Sequence, residues 1–153
     1  MQVPGFRPHV TIGGVPVHAM VVGFPVVCFI GALIADVAYA QSPQVQWANF
    51  AQWLLALGEI IGVAAALFGL FDLFMNKREM RPTIALWHWA GSVTTLVLGL
   101  FNNFVHARDG YTGVVPTGLT LSILTVITVI VTGFLGLRMV HVHQSHATKQ
   151  VVL

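Results

Sequence analysis

The chain has 153 residues, of which 56% are hydrophobic and only 8% are charged, and its mean hydropathy is +0.82. Soluble domains typically carry about 25% charged residues, so this composition excludes an ordinary soluble protein and predicts an integral membrane protein. The formal charge is only +2, and the basic residues lie at segment ends instead of forming a stripe, which argues against nucleic acid as a partner.

Four apolar stretches are long enough to be membrane-spanning helices. A helix needs about 20 apolar residues to cross the hydrocarbon core, and the stretches occupy residues 18–39, 49–75, 83–105 and 118–140. Helix-breaking residues separate them at Ser42-Pro43, Arg81-Pro82 and Asp109-Gly110. Because short connections make consecutive helices antiparallel, we predict one all-α domain over residues 1–153, an integral membrane four-helix bundle of up-down-up-down topology.

The first stretch ends in Ala38-Tyr39-Ala40, a small-x-small sequence of the kind that signal peptidase cleaves. The uncharged run over residues 19–35 is longer than the core of a signal peptide, which has about 7 to 15 residues. An acidic residue, Asp36, also lies just before the possible cleavage site. We therefore expect this segment to be a retained helix.

The basic residues are concentrated on one side of the predicted bundle. Only Arg108 falls on the other side, where it is followed in sequence by Asp109. Cytoplasmic loops carry an excess of Lys and Arg, so the pattern predicts that both termini are cytoplasmic. The residues on the cytoplasmic side would be Arg7, Lys77, Arg78, Arg81, Arg138 and Lys149.

Ionisable residues inside membrane spans are costly, and each one is therefore a candidate for function. The same interval of eighteen residues separates His18 from Asp36 and His88 from His106. Eighteen residues make five helical turns, or about 27 Å, so each pair lies on one helix face at opposite membrane surfaces. In the antiparallel bundle, His18 and His88 would collect at the cytoplasmic end with Asp72, Arg138, His141 and His143, and Asp36 and His106 at the other end with Arg108.

The cytoplasmic cluster suggests a haem site. A b-type haem takes two axial imidazoles from facing helices of a bundle, and His18 and His88 are the candidate ligands. Arg138 lies nearby in the predicted bundle and can pair with a haem propionate. Because His88 is expected about 6 Å deeper in the membrane than His18, His141 is a substitute ligand. At the other end His106 has no partner histidine, so we predict at most one haem.

Two other interpretations of the cluster remain open. His18, Asp72 and His88 are ligand types that suit zinc, iron or copper. Alternatively, these groups bond one another and lipid headgroups and so keep the helices in register. The lone cysteine, Cys28, is expected to be a buried structural thiol, and we identify no catalytic residues because the sequence contains no nucleophilic constellation.

Glu59 is the one acidic residue expected deep in the membrane. It lies between Gly58 and Gly62, a spacing of small residues that allows close approach of another helix. Three roles are open for this segment: packing within the bundle, a subunit interface, or a proton-relay carboxyl group.

Several features of the chain occur in a fixed order over about residues 15–143. His18 opens the first helix, which contains Pro25 and closes with residues 35–39, and residues 69–72 close the second helix. His88 lies early in the third helix, with Arg108 after it. Leu121-Ser122 opens the fourth helix, and Gly133 and Gly136 lie near its end. In this the chain resembles a bacterial family of four-helix membrane proteins, domain of unknown function 2231. The family has no established activity. Its members are commonly encoded beside or fused to redox modules such as Rieske or c-type cytochrome domains, which implies an electron-transfer context.

The leading hypothesis is a small subunit of the bacterial inner membrane that binds one b-type haem and passes electrons between quinone and a partner redox protein. The first alternative is a non-catalytic subunit that anchors or stabilises a larger complex, as a homo-oligomer or with other membrane subunits. Its small-residue face would be Gly58, Gly62 and Gly69. The second alternative is a metal-binding membrane protein.

Overall fold

The structure, a computed structural model, describes residues 9–75, 83–108 and 113–151, and the side chains among them up to Arg138. The described part begins with a short antiparallel hairpin of β1 (Thr11–Ile12) and β2 (Val15–Pro16). Gly13 and Gly14 form its two-residue turn with φ values of 58° and 81°. Glycine suits this turn because both central residues need positive φ.

The rest of the described chain is helical. Helices α1 (Val17–Val21) and α2 (Gly23–Gln41) follow each other with only Val22 between them and form the first span. The other spans are α3 (Val45–Met75), α4 (Thr83–His106), and α5 (Leu119–Val151) with the single π-helical turn that precedes it. All four are long and apolar enough to cross a membrane, so the prediction of an all-α membrane bundle is confirmed.

Two helices are longer than the apolar stretches that predicted them. Helix α3 begins at Val45 instead of residue 49, and α5 continues to Val151 instead of ending near residue 140. The cause is that backbone hydrogen bonding continues into polar sequence until a breaker such as Pro43 intervenes, whereas hydropathy detects only the apolar part. The basic residues Arg7, Lys77, Arg78 and Arg81 lie outside the described residues, and the side chains of His141, His143 and Lys149 lie outside the described side chains.

The helices pack in a closed ring. Each of α2, α3 and α4 packs against the next helix in the chain, and α5 packs back against α2. Near the start of the first span, the His18 ring lies against Ala65 and Gly69 in the second half of α3. In the same way His88, early in α4, lies against Thr132 and Gly136 in α5. The start of one helix therefore lies beside the end of the next. Neighbouring helices are antiparallel, as in the predicted up-down-up-down topology.

The interior is made of small side chains and the outer surface of large apolar ones. Ala32, Ala51 and Leu55 are fully buried, whereas Val27 is 71%, Trp53 75% and Ile60 70% exposed. Helices in lipid associate by close packing of small residues, since the lipid tails are as apolar as the side chains that face them. The large apolar side chains on the surface suit contact with lipid. The small residues inside let the helices approach closely enough for polar side chains to bond across the interior.

Candidate functional site

A polar network occupies the end of the bundle that contains Asp36, which we call the Asp36 end. The Asp36 carboxylate accepts two hydrogen bonds, one from Nε2 of His106 at 2.8 Å and one from Oγ of Ser122 at 2.5 Å. Asn102 Nδ2 donates to Ser122 Oγ over 2.8 Å, and Nδ1 of His106 lies 3.0 Å from the Asn102 carbonyl oxygen. These four residues are between 0 and 4% exposed. The network therefore ties α2, α4 and α5 together inside the membrane.

The side chains at the Asp36 end are arranged as a structural network and not as a catalytic triad. In a Ser-His-Asp triad the histidine stands between the other two and takes the serine proton, whereas here the carboxylate stands between His106 and Ser122. In the alternative orientation of its amide, Asn102 reaches the Gly118 carbonyl oxygen and Nδ1 of His106, and it bonds Ser122 in both orientations. A Cβ at Gly118 would lie only 2.6 Å from Cε1 of His106, so this glycine makes room for the ring.

The opposite end, which we call the His18 end, brings two histidines together. The rings of His18 and His88 have centroids 6.0 Å apart and planes at 89°. Nδ1 of His18 lies 2.8 Å from the carbonyl oxygen of Ala65, and Nδ1 of His88 lies 2.9 Å from that of Thr132. A carbonyl oxygen can only accept, so both Nδ1 atoms carry the hydrogen. Within the described part of the chain, Nε2 of neither ring has a hydrogen-bond partner.

A glycine on a neighbouring helix lies against each of these two rings. A Cβ at Gly69 of α3 would be 3.2 Å from Nδ1 of His18, and one at Gly136 of α5 would be 3.1 Å from Cε1 of His88. Real Cβ contacts are rarely this short. The glycines therefore allow both rings to enter between the helices, and they explain why these positions lack side chains.

A cavity of about 60 Å³ lies between the helices at the His18 end. A water molecule needs roughly 10 to 15 Å³ on the same measure, so the cavity has the volume of a few water molecules. The hydroxyl oxygen of Thr132 is buried and has no hydrogen-bond partner among the described residues. The lining is mostly apolar, and beside the two histidines it includes Val26, Phe29, Leu96 and Val129 as well as Gly62, Ser92, Thr95 and Thr132.

The remaining candidate ligands lie elsewhere. Asp72 accepts a hydrogen bond of 2.7 Å from the backbone N–H of His9, whose Nδ1 lies 3.8 Å from the same carboxylate oxygen. The Arg138 guanidinium lies over the Phe134 ring, 5.1 Å from its centroid, and the His141 side chain lies outside the described ones. Among the described residues, no three His, Cys, Asp or Glu side chains are grouped closely enough to hold a metal ion.

The eighteen-residue spacing found the charged members of both clusters, but sequence reasoning missed the neutral members. Asn102 lies four residues before His106 on the same face of α4, which is a usable signal. Ser122 was noted only as part of the start of the fourth helix. The depth difference expected between His18 and His88 does not keep their rings apart, because helices in a bundle need not begin at the same level.

The glycines of α3 pack inside the bundle. A Cβ at Gly58 would lie 3.0 Å from Cβ of Cys28, and one at Gly62 would lie 2.8 Å from Cδ2 of Leu96. Their small size therefore serves contacts with α2 and α4, which supports the first of the three roles considered for this segment. Cys28 itself is buried and unbridged.

Comparison with known proteins gives one match. Neither the curated proteins nor the solved structures contain a significant match to the chain. The model of the DUF2231 family, described as a predicted membrane protein, matches residues 14–149. Since this range takes in all four spans and nearly the whole sequence, the chain belongs to the DUF2231 family of membrane proteins.

Proposed function

We propose that the protein is a small membrane redox subunit that binds one b-type haem through His18 and His88. The observation that carries the proposal is the state of these two rings. Each has its Nδ1–H bonded to a backbone carbonyl oxygen, and each lines the same cavity with its Nε2 unbonded within the described part of the chain. Metal-ligating histidines almost always donate their other N–H in this way, which fixes the tautomer and the ring orientation.

The separation of the rings suits two ligands of one metal ion. With metal–nitrogen bonds of about 2 Å, two imidazoles on opposite sides of an ion have centroids roughly 6 Å apart. The observed separation is 6.0 Å. The two rings are therefore close enough to bind one metal ion, and they stand perpendicular to each other.

The number of donors favours haem over a bare metal ion. A zinc site needs three or four protein ligands, whereas a porphyrin provides the four equatorial nitrogens itself and leaves two axial positions for the protein. Among the described residues the His18 end offers two histidines, and no third His, Cys, Asp or Glu joins them. Two histidines are therefore enough protein ligands for haem but too few for a zinc site.

Haem binding requires the cavity to widen, since sites for molecules of drug size or larger have about 300 to 1,000 Å³. The bulky side chains in the lining that would have to shift include Val26, Phe29 and Leu96. Val26 and Leu96 are half-buried, and Val26 packs against the core cluster around Phe29 and Leu55, so widening the cavity would also require movement in the core.

Haem held in this site would supply one-electron redox chemistry, and the chain would bind and orient it. His18 and His88 would hold it through their imidazole nitrogens, and Arg138 would pair with a propionate. We place the His18 end at the cytoplasmic face of a bacterial inner membrane, because the basic residues of the sequence gather on that side. Quinone and a partner redox protein are the proposed electron donor and acceptor.

The test is the absorption spectrum of detergent-purified protein from cells supplied with haem, oxidised and after dithionite. We expect sharp Soret and α bands in the reduced sample, and we expect His18→Ala and His88→Ala each to lose the low-spin spectrum. His9→Ala is the matched control, because it removes a histidine side chain at the same end of the bundle but outside the cavity. Metal content is measured in the same samples.

A protein without a Soret band, or a band that survives the double replacement of His18 and His88, contradicts the proposal. One bound zinc or copper without haem would favour the metal-binding alternative. A flat spectrum without metal would favour the non-catalytic subunit.

A further inference from the structure

The hairpin that precedes the first span has one face made of β-branched aliphatic side chains. Successive side chains of a strand point to opposite faces, and Ile12 is paired with Val15 across the hairpin. Two residues further along each strand, the N–H of Val17 donates to the carbonyl oxygen of Val10 over 3.0 Å, which continues the same pairing. One face of the hairpin, which we call the aliphatic face, therefore carries Val10, Ile12, Val15 and Val17.

The aliphatic face is open at the tip of the hairpin. Ile12 is 63% exposed and Val15 is 49% exposed, and residues 10–17 contain no Asp, Glu, Lys or Arg. Thr11 and Pro16 are paired on the opposite face. Contact between large aliphatic side chains and water is unfavourable, so a hairpin with this composition is suited to an apolar environment on one side.

Both ends of the hairpin are attached to the ends of membrane spans. The N–H of His9 donates to Asp72 in the last turns of α3, and Val17 is the first residue of α1. Val17 also begins a series with Met20 and Phe24, which are 51% and 61% exposed, and residues at such intervals lie on one side of a helix. On a membrane span, exposed apolar side chains face lipid. The aliphatic face therefore continues, through Val17, into the lipid-facing surface of the first span.

We propose that the aliphatic face inserts, at the His18 end, into the boundary between the lipid headgroups and the acyl chains of the surrounding bilayer. Amphipathic segments lie in this boundary with their apolar side chains toward the acyl chains and their polar groups among the headgroups. In this arrangement Ile12 and Val15 contact acyl chains, and Thr11 faces the headgroups and water. The contact is apolar and does not depend on what the His18–His88 site binds.

The size of the aliphatic face favours lipid over a protein partner. A specific protein interface buries about 800 Å² on each partner, whereas this face offers four aliphatic side chains, of which Val10 and Val17 are already half-buried. A bilayer requires no minimum area, because the adjoining span already holds the hairpin at the membrane surface. Each aliphatic side chain that leaves water then adds its own contribution to binding.

The experiment is a nitroxide scan of the full-length protein in phosphatidylcholine vesicles. Cys28, the only cysteine, is first replaced by Ala, and Ile12→Cys, Val15→Cys or Thr11→Cys then carries the spin label. We expect labels at residues 12 and 15 to collide several times more often with oxygen, which concentrates in lipid, than with a water-soluble nickel chelate. The label at residue 11 is the matched control on the opposite face of the same strand and should show the reverse preference. Val27→Cys, at a position 71% exposed on the first span, gives the lipid reference.

A second variant tests whether the aliphatic face holds the hairpin at the bilayer. Ile12→Ser combined with Val15→Ser removes the exposed aliphatic side chains at the tip, so the label at residue 11 should gain mobility and collide more often with the nickel chelate. An unchanged label at residue 11 in this variant overturns the proposal. Labels at residues 12 and 15 that meet the nickel chelate as often as the label at residue 11 also overturn it. So do labels protected from both reagents, which would mean that protein covers the face.

Discussion

The two ends of the bundle use the same helix in opposite ways. Helix α4 carries His88 at one end and His106 eighteen residues later at the other, and each ring reaches across the bundle to a residue of the first span. At the Asp36 end the histidine meets a carboxylate, a hydroxyl group and an amide, and the four side chains satisfy one another. At the His18 end two histidines bind only backbone carbonyls and line a cavity of about 60 Å³.

This difference matches the division between a stabilising end and a ligand-binding end that the proposed function requires. A buried polar group that loses its partner costs about 1 to 3 kcal/mol, so the closed network at the Asp36 end penalises any loss of its members. At the His18 end each ring keeps one nitrogen available and the buried hydroxyl group of Thr132 is unbonded within the described residues. Under the proposed function, these ring nitrogens are the groups that would bind the ligand.

The largest expected effect comes from the same substitution at both ends of α4. We expect His106→Ala to lower the free energy of unfolding by about 3 kcal/mol, because it leaves the Asp36 carboxylate buried with one donor fewer. His88→Ala loses one hydrogen bond to a backbone carbonyl, and we expect it to lower the free energy of unfolding by about 1 kcal/mol. Reversible unfolding in mixed detergent micelles measures both.

This comparison has a built-in control, since the two variants remove the same side chain from the same helix. Equal losses of stability, or a larger loss for His88→Ala in haem-free protein, would contradict the division between a structural end and a binding end. In haem-loaded protein, the stability losses of the two variants should be closer to each other. His88 would then have the haem as a second partner, so His88→Ala would cost more.

Ser122→Ala should lower the free energy of unfolding by less than His106→Ala does. It tests how much the hydroxyl group contributes to the network at the Asp36 end. The hydroxyl group donates to the Asp36 carboxylate and accepts from Asn102, so its removal should cost about 1.5 kcal/mol. Thr128→Ala is the control on the same helix, because its exposed hydroxyl group bonds only the Leu124 carbonyl oxygen. The unfolding assay should show little change for Thr128→Ala. Similar losses for the two variants would mean that the network adds nothing beyond a local hydrogen bond.

The smallest effect on stability is expected from glycine substitutions, which probe the His18 end. Gly23→Ala meets no atom within 4 Å, so the better helix propensity of alanine should stabilise the protein by up to about 1 kcal/mol. Gly136→Ala places a methyl group 3.1 Å from Cε1 of His88, which should cancel that gain and displace the ring. We expect Gly136→Ala to retain less haem on dialysis, and Gly23→Ala to retain as much as the wild type. Equal retention in both would mean that Gly136 has no part in positioning His88.

The fold could be predicted from the sequence because the membrane imposes a simple rule. A span must be helical, long and apolar, so hydropathy located all four helices and missed only their polar extensions at Val45 and beyond residue 140. The gathering of His18 with His88 at one end, and of Asp36 with His106 at the other, followed from the interval of eighteen residues and the antiparallel order. These are consequences of helical periodicity, and they need no knowledge of side-chain packing.

The details of both clusters depend on packing and could not be predicted in the same way. Nothing in the sequence indicates that Ala65 and Thr132 turn their carbonyl oxygens toward the two rings. The contact of Asp72 with His9 was missed because it depends on a hairpin that folds the N-terminal segment back onto α3. The Gly13-Gly14 pair is a turn signal, but its partner across the bundle is visible only in the folded chain.

The bond between His9 and Asp72 also affects how the bundle responds to lipid. It joins the residues just before the first span to the last turns of α3, so these two helices cannot slide past each other along the bilayer normal without breaking it. The level of His18 is then set by a polar contact at this end and not by the match between an apolar stretch and the bilayer. In a thicker or thinner membrane, adjustment by tilt would leave the offset between the start of the first span and the end of α3 nearly constant, and with it the level of His18 relative to α3.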